Sequence, residues 1–281
     1  MSRRFGERVR AALRAHGPLC VGIDPHAALL AAWGLPDDAR GVRDFGLRTV
    51  EAAAGRVALV KPQVSFFERF GSRGVAALED VLAAARAADL LVIADAKRGD
   101  IGSTMGDYAR AWLTPGSPLE ADALTVSPFL GVGALDGAFA FAEEHGKGVF
   151  VLAATSNPEA EGLQRAVTST GETVSGSVIG EVSARNAALA DAGEWGSFGF
   201  VIGATVDWAL AGIHPFGPVA PILAPGFGAQ GATPADLRAR FGPMSGAVIA
   251  SESRSILGAG PDHLAATITA RAAEYLEVAR A

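Results

Sequence analysis

The residues best suited to chemistry form a short charged pattern, in which Lys97 lies between Asp95 and Asp100. Lysine is rare in this chain: it occupies positions 61, 97 and 147, and arginine supplies the rest of the 24 basic residues. An arginine side chain does not readily give up its proton, whereas a lysine side chain can. Lys61 and Lys97 are therefore candidates for proton transfer rather than for general surface charge.

Asp95 and Lys97 are two residues apart in a predicted strand, so their side chains lie on the same face of it. Lys61 ends the preceding predicted strand and would bring a second ammonium group to the same place. Neighbouring carboxylates keep an ammonium group protonated and ready to act as an acid. An ionised aspartate beside a substrate carboxylate would destabilise the bound ground state, while the ammonium group would stabilise negative charge developing on carbon. Decarboxylation is a reaction that such a site could serve. A structural salt-bridge network is the more common explanation of an isolated Asp-x-Lys pair, but the two further charged partners at strand ends favour a functional site.

Eight short apolar runs along the chain would form the strands that position these side chains. They lie at 19–24, 57–61, 90–95, 123–127, 148–153, 198–203, 221–224 and 246–250. Near-continuous apolar runs are typical of parallel strands covered on both faces, and segments with helical spacing lie between them. The pattern predicts an α/β protein with a (β/α)8 TIM barrel fold. The alternative, an open doubly wound sheet, would usually carry a G-x-G-x-x-G turn where this chain has Asp24-Pro25-His26.

The barrel prediction also sets the domain organisation and the place of the site. We expect residues 1–281 to form one barrel domain that starts with an N-terminal helix. The stretch at 156–176 is rich in Gly, Ser, Thr and Glu, and it would be a long loop after strand five. That loop would lie at the C-terminal face of the barrel, where barrel enzymes place their active sites. Ser127 ends the fourth predicted strand, and the sequence suggests no chemical role for it.

The overall composition narrows the class of protein. The chain has 281 residues, a formal net charge of −6 and 49% hydrophobic residues, and its pI is near 5.4. An acidic protein is poorly suited to bind nucleic acid or an anionic membrane. The single cysteine, Cys20, permits no intrachain disulfide, and no Cys/His spacing indicates a metal site. The polar N-terminus and the absence of an 18-residue apolar run predict a cytoplasmic protein without a membrane span.

Several segments resemble one known family. The stretch Asp95-Ala-Lys97-Arg-Gly-Asp100-Ile101-Gly-Ser-Thr104 is similar to the D-x-K-x-x-D-I-x-x-T signature of orotidine 5'-monophosphate decarboxylases. Further matching segments follow in the family's order: Gly22-Ile-Asp24, Val60-Lys61-Pro62-Gln63, Thr155-Ser156-Asn157-Pro158, Pro225-Gly226-Phe-Gly-Ala-Gln230-Gly231 and Ser253-Arg254-Ser255-Ile256. The second and third of these resemble the longer bacterial subfamily, called type 2. The resemblance covers the full barrel, and this combination of segments is highly specific.

The resemblance implies a reaction and a set of catalytic residues. Orotidine 5'-monophosphate would be converted to uridine 5'-monophosphate and carbon dioxide in pyrimidine biosynthesis, with no cofactor and no metal. Lys97 would protonate C6 of the pyrimidine as carbon dioxide leaves, and Asp95 would lie against the departing carboxylate. Asp24 and Lys61 would hold the ribose hydroxyl groups. Asp100 would complete the charged tetrad together with Lys61, Asp95 and Lys97.

The resemblance also implies binding residues and a partner. Ser156 would hydrogen-bond to the edge of the pyrimidine, and Gln230 and Arg254 would bind the 5'-phosphate. Arginine suits this task because its fork of N–H donors matches phosphate geometry. The working unit would be a homodimer with shared active sites, and three residues would reach into the neighbouring subunit's site: Asp100, Ile101 and Thr104.

Two other functions fit part of the pattern. A related barrel decarboxylase acts on sugar-acid phosphates with magnesium and shares the D-x-K-x-x-D element, but Lys61 would place an ammonium group where it repels a divalent ion. A barrel that binds nucleotides without catalysis would be expected to lack a member of the charged tetrad, and all four are present. The discriminating observation is the loss of substrate absorbance with and without a chelator.

Overall fold

A computed structural model describes residues 4–280 of the chain. Eight parallel strands follow one another in chain order around a closed barrel, and pairing of the first strand with the eighth completes it. The predicted (β/α)8 barrel is therefore confirmed. The strands are β1 (Leu19–Ile23), β2 (Leu59–Pro62), β3 (Leu91–Arg98), β4 (Ala123–Val126), β5 (Gly148–Ala154), β6 (Phe198–Ile202), β7 (Ile222–Pro225) and β8 (Val248–Glu252).

Helices precede β1 and occupy most of the connections between strands. They are α1 (Phe5–His16), α2 (Ala27–Ala32), α3 (Ala39–Ala53), α4 (Ser65–Glu68), α5 (Gly71–Ala87), α6 (Gly102–Leu113), α7 (Asp136–Glu144), α8 (Glu161–Gln164), α9 (Val174–Leu189), α10 (Asp236–Phe241), α11 (Arg254–Leu257) and α12 (Leu264–Arg280). Short 3-10 helices lie at Val132–Leu135, Pro158–Ala160 and Gly242–Ala247. None of the helices within residues 4–280 combines the length and the apolar character needed to cross a membrane.

Two connections differ from the simple strand–helix repeat. The stretch after β5, predicted as a plain loop at 156–176, contains a 3-10 turn and α8, and α9 begins within it at Val174. The connection from β6 to β7 contains turns, and no helix is assigned to it in the part of the chain that the structure describes. This second connection is rich in Gly and Pro, which disfavour helix formation.

The strands alternate between two apolar environments, which explains their near-continuous apolar sequence. In β1, Leu19, Val21 and Ile23 face outward and pack against the surrounding helices. Cys20 faces the barrel interior, together with interior residues from other strands such as Leu59. Both sets are buried, because a parallel barrel is covered by helices outside and filled by side chains inside.

The N-terminal end of the barrel is closed by aromatic rings. Phe5 of α1 packs edge-to-face against Phe150 of β5, with ring centroids 6.0 Å apart. Two glycines make room for these rings: a Cβ on Gly148 would collide with Phe5, and a Cβ on Gly199 would lie 2.8 Å from Phe150. Complete burial of a phenylalanine side chain contributes about 2–3 kcal/mol to stability, so α1 is an integral part of the barrel core.

Lys147 has a structural explanation at this same end. Its Nζ lies 2.7 Å from Glu120 Oε1 and 4.0 Å from Asp122 Oδ1. Asp122 in turn pairs with Arg8 of α1 at 2.5 Å and accepts the backbone N–H of Val92 at 2.9 Å. This network joins α1 to the starts of three strands. The other two lysines of the chain lie at the opposite end.

Candidate active site

The inward-facing positions become polar as the strands approach the C-terminal end of the barrel. Lys61 and Asp95 follow the interior residues Leu59 and Ile93 by two positions, and Thr125 follows an interior alanine in the same way. Because side chains alternate along a strand, these polar groups lie directly above the apolar interior. A pocket of about 280 Å³ opens there, close to the lower limit of roughly 300 Å³ for pockets that hold small ligands.

Seven of the ten residues predicted for the site line this pocket. They are Asp24, Lys61, Asp95, Lys97, Ser156, Gln230 and Arg254. The charged residues lie over β1 to β3, and the uncharged polar residues and Arg254 lie over β5, β7 and β8. The pocket is therefore charged on one side and rich in hydrogen-bonding groups with a single arginine on the other.

Asp95 is the centre of the charged side. It is 8% exposed, and its two carboxylate oxygens bind different lysines: Lys61 Nζ lies 2.9 Å from Oδ2, and Lys97 Nζ lies 2.5 Å from Oδ1. The side chain of Lys97 is far more exposed than that of Lys61. One ammonium group is thus buried beneath Asp95, while the other extends into the pocket.

These contacts fix the charge states of the buried pair. Burial opposes ionisation of Asp95, but the two lysine ammonium groups outweigh it and lower the pKa of Asp95 to about 2. Burial likewise opposes the charge on Lys61, yet the carboxylates of Asp95 and Asp24 raise the pKa of Lys61 above its ordinary value. Both groups are charged throughout the neutral range. The pocket therefore presents a fixed negative charge beside a solvent-accessible ammonium group.

The backbone at Lys97 departs from regular strand geometry. Its φ is +49°, a left-handed value that is uncommon for a residue other than glycine. The pairing of β3 with β4 is irregular between Ala94 and Arg98. The Thr125 hydroxyl accepts the Lys97 backbone N–H at 2.9 Å and donates to Asp95 Oδ1 at 3.0 Å. Thr125 therefore fixes the strained lysine backbone and the central carboxylate with a single side chain. Strain of this kind is common at functional sites.

Two buried polar atoms at one corner of the pocket lack a hydrogen-bond partner among residues 4–280: Asp24 Oδ1 and Ser253 Oγ. Both residues adjoin Gly22, where a Cβ would lie 2.8 Å from Ser253 Cβ and 3.4 Å from Asp24 Oδ1. Lys61 Nζ lies 4.0 Å from Asp24 Oδ1. A buried acceptor and a buried hydroxyl that make no hydrogen bond are unfavourable, so this corner suits a ligand that both donates and accepts hydrogen bonds.

The opposite side of the pocket is positioned by loops. Ser156 follows Thr155, whose N–H and hydroxyl bind the side-chain amide of Gln164 at 2.8 and 2.9 Å. Gln230 lies in the turn after β7, and Arg254 begins α11 after β8. Within the described chain, Arg254 pairs with no carboxylate, so its charge is available to an anionic ligand.

Three predicted residues lie outside the pocket of their own chain. Ile101 is 61% exposed, and Thr104 is also exposed. The Asp100 carboxylate accepts the backbone N–H of Ile101 at 2.8 Å and joins no ion pair with the residues that the structure describes. Asp100 is half-buried, and the three residues form a separate segment that leads into the first turn of α6.

The structure adds residues that sequence reasoning did not select. Gln63, which belongs to the Val60-Lys61-Pro62-Gln63 segment, lines the pocket, and its Oε1 lies 3.5 Å from Lys61 Nζ. Thr125, rather than Ser127, is the polar residue at the interior end of β4, as two-residue spacing from Ala123 predicts. Ser253 also lines the pocket. Among residues 4–280, no group of three or more His, Cys, Asp or Glu side chains is arranged to hold a metal ion.

Comparisons of sequence and of structure with known proteins lead to the same family. The model of a family described as orotidine 5'-phosphate decarboxylase / HUMPS matches residues 17–268. Two curated relatives named orotidine 5'-phosphate decarboxylase come from Salinispora tropica (54% identity over 93% of this chain and 92% of the relative) and Corynebacterium efficiens (50% identity over 98% of each). A crystal structure from Streptomyces avermitilis, provisionally given the same enzyme name, has a TM-score of 0.93 and 49% identity, and covers 100% of this chain and 97% of its own.

Proposed function

The chain belongs to the orotidine 5'-phosphate decarboxylase / HUMPS family, and from that premise we infer that it is an orotidine 5'-phosphate decarboxylase. It is a carboxy-lyase that forms uridine 5'-phosphate and carbon dioxide. The observation that carries the chemistry is the Asp95 carboxylate, which is held ionised between Lys61 and Lys97 at the mouth of the pocket. The identity of the relatives and this charge arrangement support the same reaction.

We propose that the charged side of the pocket drives the carbon–carbon bond cleavage. The substrate carboxylate at C6 would lie beside the Asp95 carboxylate, and repulsion between two negative charges would favour its departure. As carbon dioxide leaves, the electron pair of the broken bond stays on C6. The Lys97 ammonium group stabilises that charge and then donates its proton to C6. Solvent returns a proton to Lys97, which is half-exposed.

The same proposal assigns the parts of the substrate to the two sides of the pocket. Asp24 Oδ1, which accepts no hydrogen bond from the described residues, suits a ribose hydroxyl, which Lys61 would also approach. Ser156 would contact the pyrimidine edge. Arg254 and Gln230 would bind the 5'-phosphate, because an unpaired guanidinium group beside an amide offers several donors to its oxygens. A bound phosphate remote from the reacting carbon supplies binding energy that can be used in the transition state.

We further propose a two-fold dimer in which Asp100, Ile101 and Thr104 complete the partner's site. The exposure of Ile101 and Thr104 supports this assignment, because neither residue, nor Asp100, lines the pocket that holds the other predicted site residues. Two more exposed apolar side chains follow β4, Phe129 at 75% and Leu130 at 53%. Large exposed apolar side chains are typical of association surfaces, and a two-fold axis would make each shared contact occur twice. A cytoplasmic location for this dimer stays a prediction.

The competing functions account for less of the site. A magnesium-dependent relative would need carboxylates free to bind the ion, whereas both Asp95 oxygens bind ammonium groups. A binding protein without catalysis would not need Lys97 in a strained backbone conformation. We propose that the reaction proceeds without a metal or another cofactor.

The decisive experiment follows the absorbance of orotidine 5'-phosphate with the purified protein, before and after dialysis against EDTA. We expect its disappearance at equal rates in both samples, with uridine 5'-phosphate as the product. Activity that vanishes after dialysis and returns only with magnesium would favour the metal-dependent relative. Tight binding of the nucleotide without turnover would favour the non-catalytic protein.

A further inference from the structure

A fully buried carboxylate, Glu252, lies behind the proposed phosphate site and takes no part in the mechanism above. It ends β8, two residues before Arg254, and is 0% exposed. Its Oε1 accepts the Tyr275 hydroxyl at 2.7 Å, and its Oε2 accepts the Ser255 hydroxyl at 2.7 Å. Arg271 Nε lies 3.5 Å from Oε2 and supplies a positive charge. These partners satisfy a carboxylate that would otherwise be strongly unfavourable in the core.

The partners of Glu252 come from two helices. Ser255 lies in α11, which begins with Arg254, and Tyr275 and Arg271 lie in α12 at the C-terminal end of the chain. Burial and the neighbouring Glu252 charge raise the pKa of Tyr275 far above its ordinary value, so its hydroxyl remains a donor. Glu252 therefore ties α12 to the segment that carries Arg254.

The turn after β7 packs on the same cluster. The Tyr275 ring meets the Phe227 ring edge-to-face, with centroids 5.7 Å apart. Gly228 has a φ of +69°, and a Cβ there would lie 2.8 Å from Glu252 Oε2 and would collide with the Ser255 side chain. The backbone of this turn can approach the carboxylate only because residue 228 is glycine. Gln230 is two residues farther along the same turn.

One buried cluster thus contacts both segments that would bind the phosphate. We propose that Glu252, Ser255 and Tyr275 are positioning residues, which hold Arg254 and Gln230 in the relative placement that binds the substrate phosphate. The cluster acts through those two residues, because none of its three side chains lines the pocket. This inference rests on the proposed function, in which the phosphate lies between the ends of β7 and β8.

In this arrangement α12 affects catalysis only through the residues that bind the phosphate. A phosphate held in the correct place contributes binding energy to the transition state, and a small misplacement of its partners loses that contribution. A substitution in the cluster should therefore lower kcat/KM for the phosphorylated substrate and leave kcat/KM for a substrate without phosphate nearly unchanged. If the cluster had only a general structural role, the same substitution would lower kcat/KM equally for both substrates.

The test compares kcat/KM for orotidine 5'-phosphate and for the nucleoside orotidine, the latter at high enzyme concentration. Tyr275→Phe keeps the ring against Phe227 but removes the donor to Glu252. We expect kcat/KM to fall about tenfold with orotidine 5'-phosphate and to stay within about twofold with orotidine. Arg254→Ala provides the reference for losing the phosphate contact itself. Tyr108→Phe is the matched control, because the Tyr108 hydroxyl makes no hydrogen bond to the described residues.

A second variant, Ser255→Ala, repeats the test at a less buried position, and thermal unfolding checks that each variant is folded. Selective loss with the phosphorylated substrate in either folded variant supports the proposal. An equal loss with both substrates, or no loss with either, overturns it. A wild-type protein that does not decarboxylate orotidine 5'-phosphate would refute the proposed function, and the inference would fall with it. Wild-type turnover with unselective variants refutes the inference alone.

Discussion

Replacement of Thr125 by valine tests the link between the central carboxylate and the lysine that would donate the proton. Valine keeps nearly the same shape but removes the hydroxyl that donates to Asp95 Oδ1 at 3.0 Å and accepts the Lys97 N–H at 2.9 Å. The left-handed backbone of Lys97 costs about 1–3 kcal/mol, and surrounding contacts must maintain it. We therefore expect the variant to hold Asp95 and Lys97 less firmly in place, while the shape of the pocket is preserved.

The size of the effect follows from these two bonds. A hydrogen bond to a charged group contributes about 1.5–3 kcal/mol, and a buried N–H left without a partner costs a further ~1–3 kcal/mol. If the carboxylate bond alone affects the transition state, the barrier rises by about 1.5–3 kcal/mol and kcat falls roughly 10- to 150-fold. KM should change little, because Thr125 does not line the pocket.

Steady-state kinetics on the valine variant measure both quantities, and Thr125→Ser is the matched control. Serine restores the hydroxyl and should return kcat to within a few-fold of the wild-type value. Binding of uridine 5'-phosphate, measured by calorimetry, checks that the pocket is intact. A valine variant that is folded and has unchanged kcat would refute the idea that Thr125 positions Asp95 and Lys97. A rise in KM at constant kcat would show that Thr125 acts on substrate binding instead.

Four further results are expected. Lys97→Ala should abolish decarboxylation, whereas uridine 5'-phosphate should still bind, although more weakly, because the variant would lack the proposed proton donor but keep the proposed phosphate site; turnover and calorimetry measure the two effects. Arg254→Ala should raise KM strongly and lower kcat in part, since the proposed phosphate site would lose its guanidinium group, whose binding energy would also serve the transition state; steady-state kinetics separate the two constants. Equal amounts of inactive Lys97→Ala and Asp100→Ala chains, unfolded and refolded together, should recover about a quarter of wild-type activity, because half of the random dimers are mixed and each holds one intact site. The pKa of Asp95 is lowered in the folded protein to about 2, so its contribution of roughly 2 kcal/mol to stability is complete above about pH 4 and is lost as the pH falls toward 2; denaturant unfolding across this range should show a smaller pH dependence for Asp95→Asn.

Each of these results has a clear opposite. Near-normal turnover by Lys97→Ala would remove Lys97 from the role of proton donor. Unchanged kinetics of Arg254→Ala would move the phosphate to another part of the pocket. A mixture that stays inactive after proven subunit exchange would place Asp100 within its own chain. An unfolding free energy of Asp95→Asn that depends on pH as strongly as the wild-type value would show that another group dominates acid unfolding.

The fold could be predicted because its periodicities are regular. Each strand was visible as a short apolar run, since the barrel buries both of its faces. The charged residues at Lys61 and Asp95 could be predicted by the same rule, because two-residue alternation from interior positions leads to them. The ends of the strands are harder to predict. β3 extends to Arg98, beyond the apolar run at 90–95, because its last residues include the charged side chains of Lys97 and Arg98.

The parts that the sequence did not predict are those where the chain departs from regular geometry. The left-handed backbone at Lys97 and the irregular pairing beside it allow Thr125 to bridge two residues, and no local pattern signals that bridge. Asp100 is close to Lys97 in sequence, but the turn between them directs its carboxylate to the Ile101 N–H. The Glu252 cluster depends on contacts with α12 from a distant part of the chain. Its members carry no recognisable motif beyond Ser255.

The aromatic closure at the N-terminal end of the barrel bears on the route by which substrate and products reach and leave the site. Phe5 and Phe150 lie below the site in the apolar interior of the barrel and pack closely against Gly148 and Gly199. In the proposed mechanism, carbon dioxide released beside Asp95 would therefore depart through the same opening by which the nucleotide enters. Substrate and both products would then pass through the same opening at the C-terminal end of the barrel. The order in which the two products leave becomes a property of the loops around that opening, rather than of the barrel that supports them.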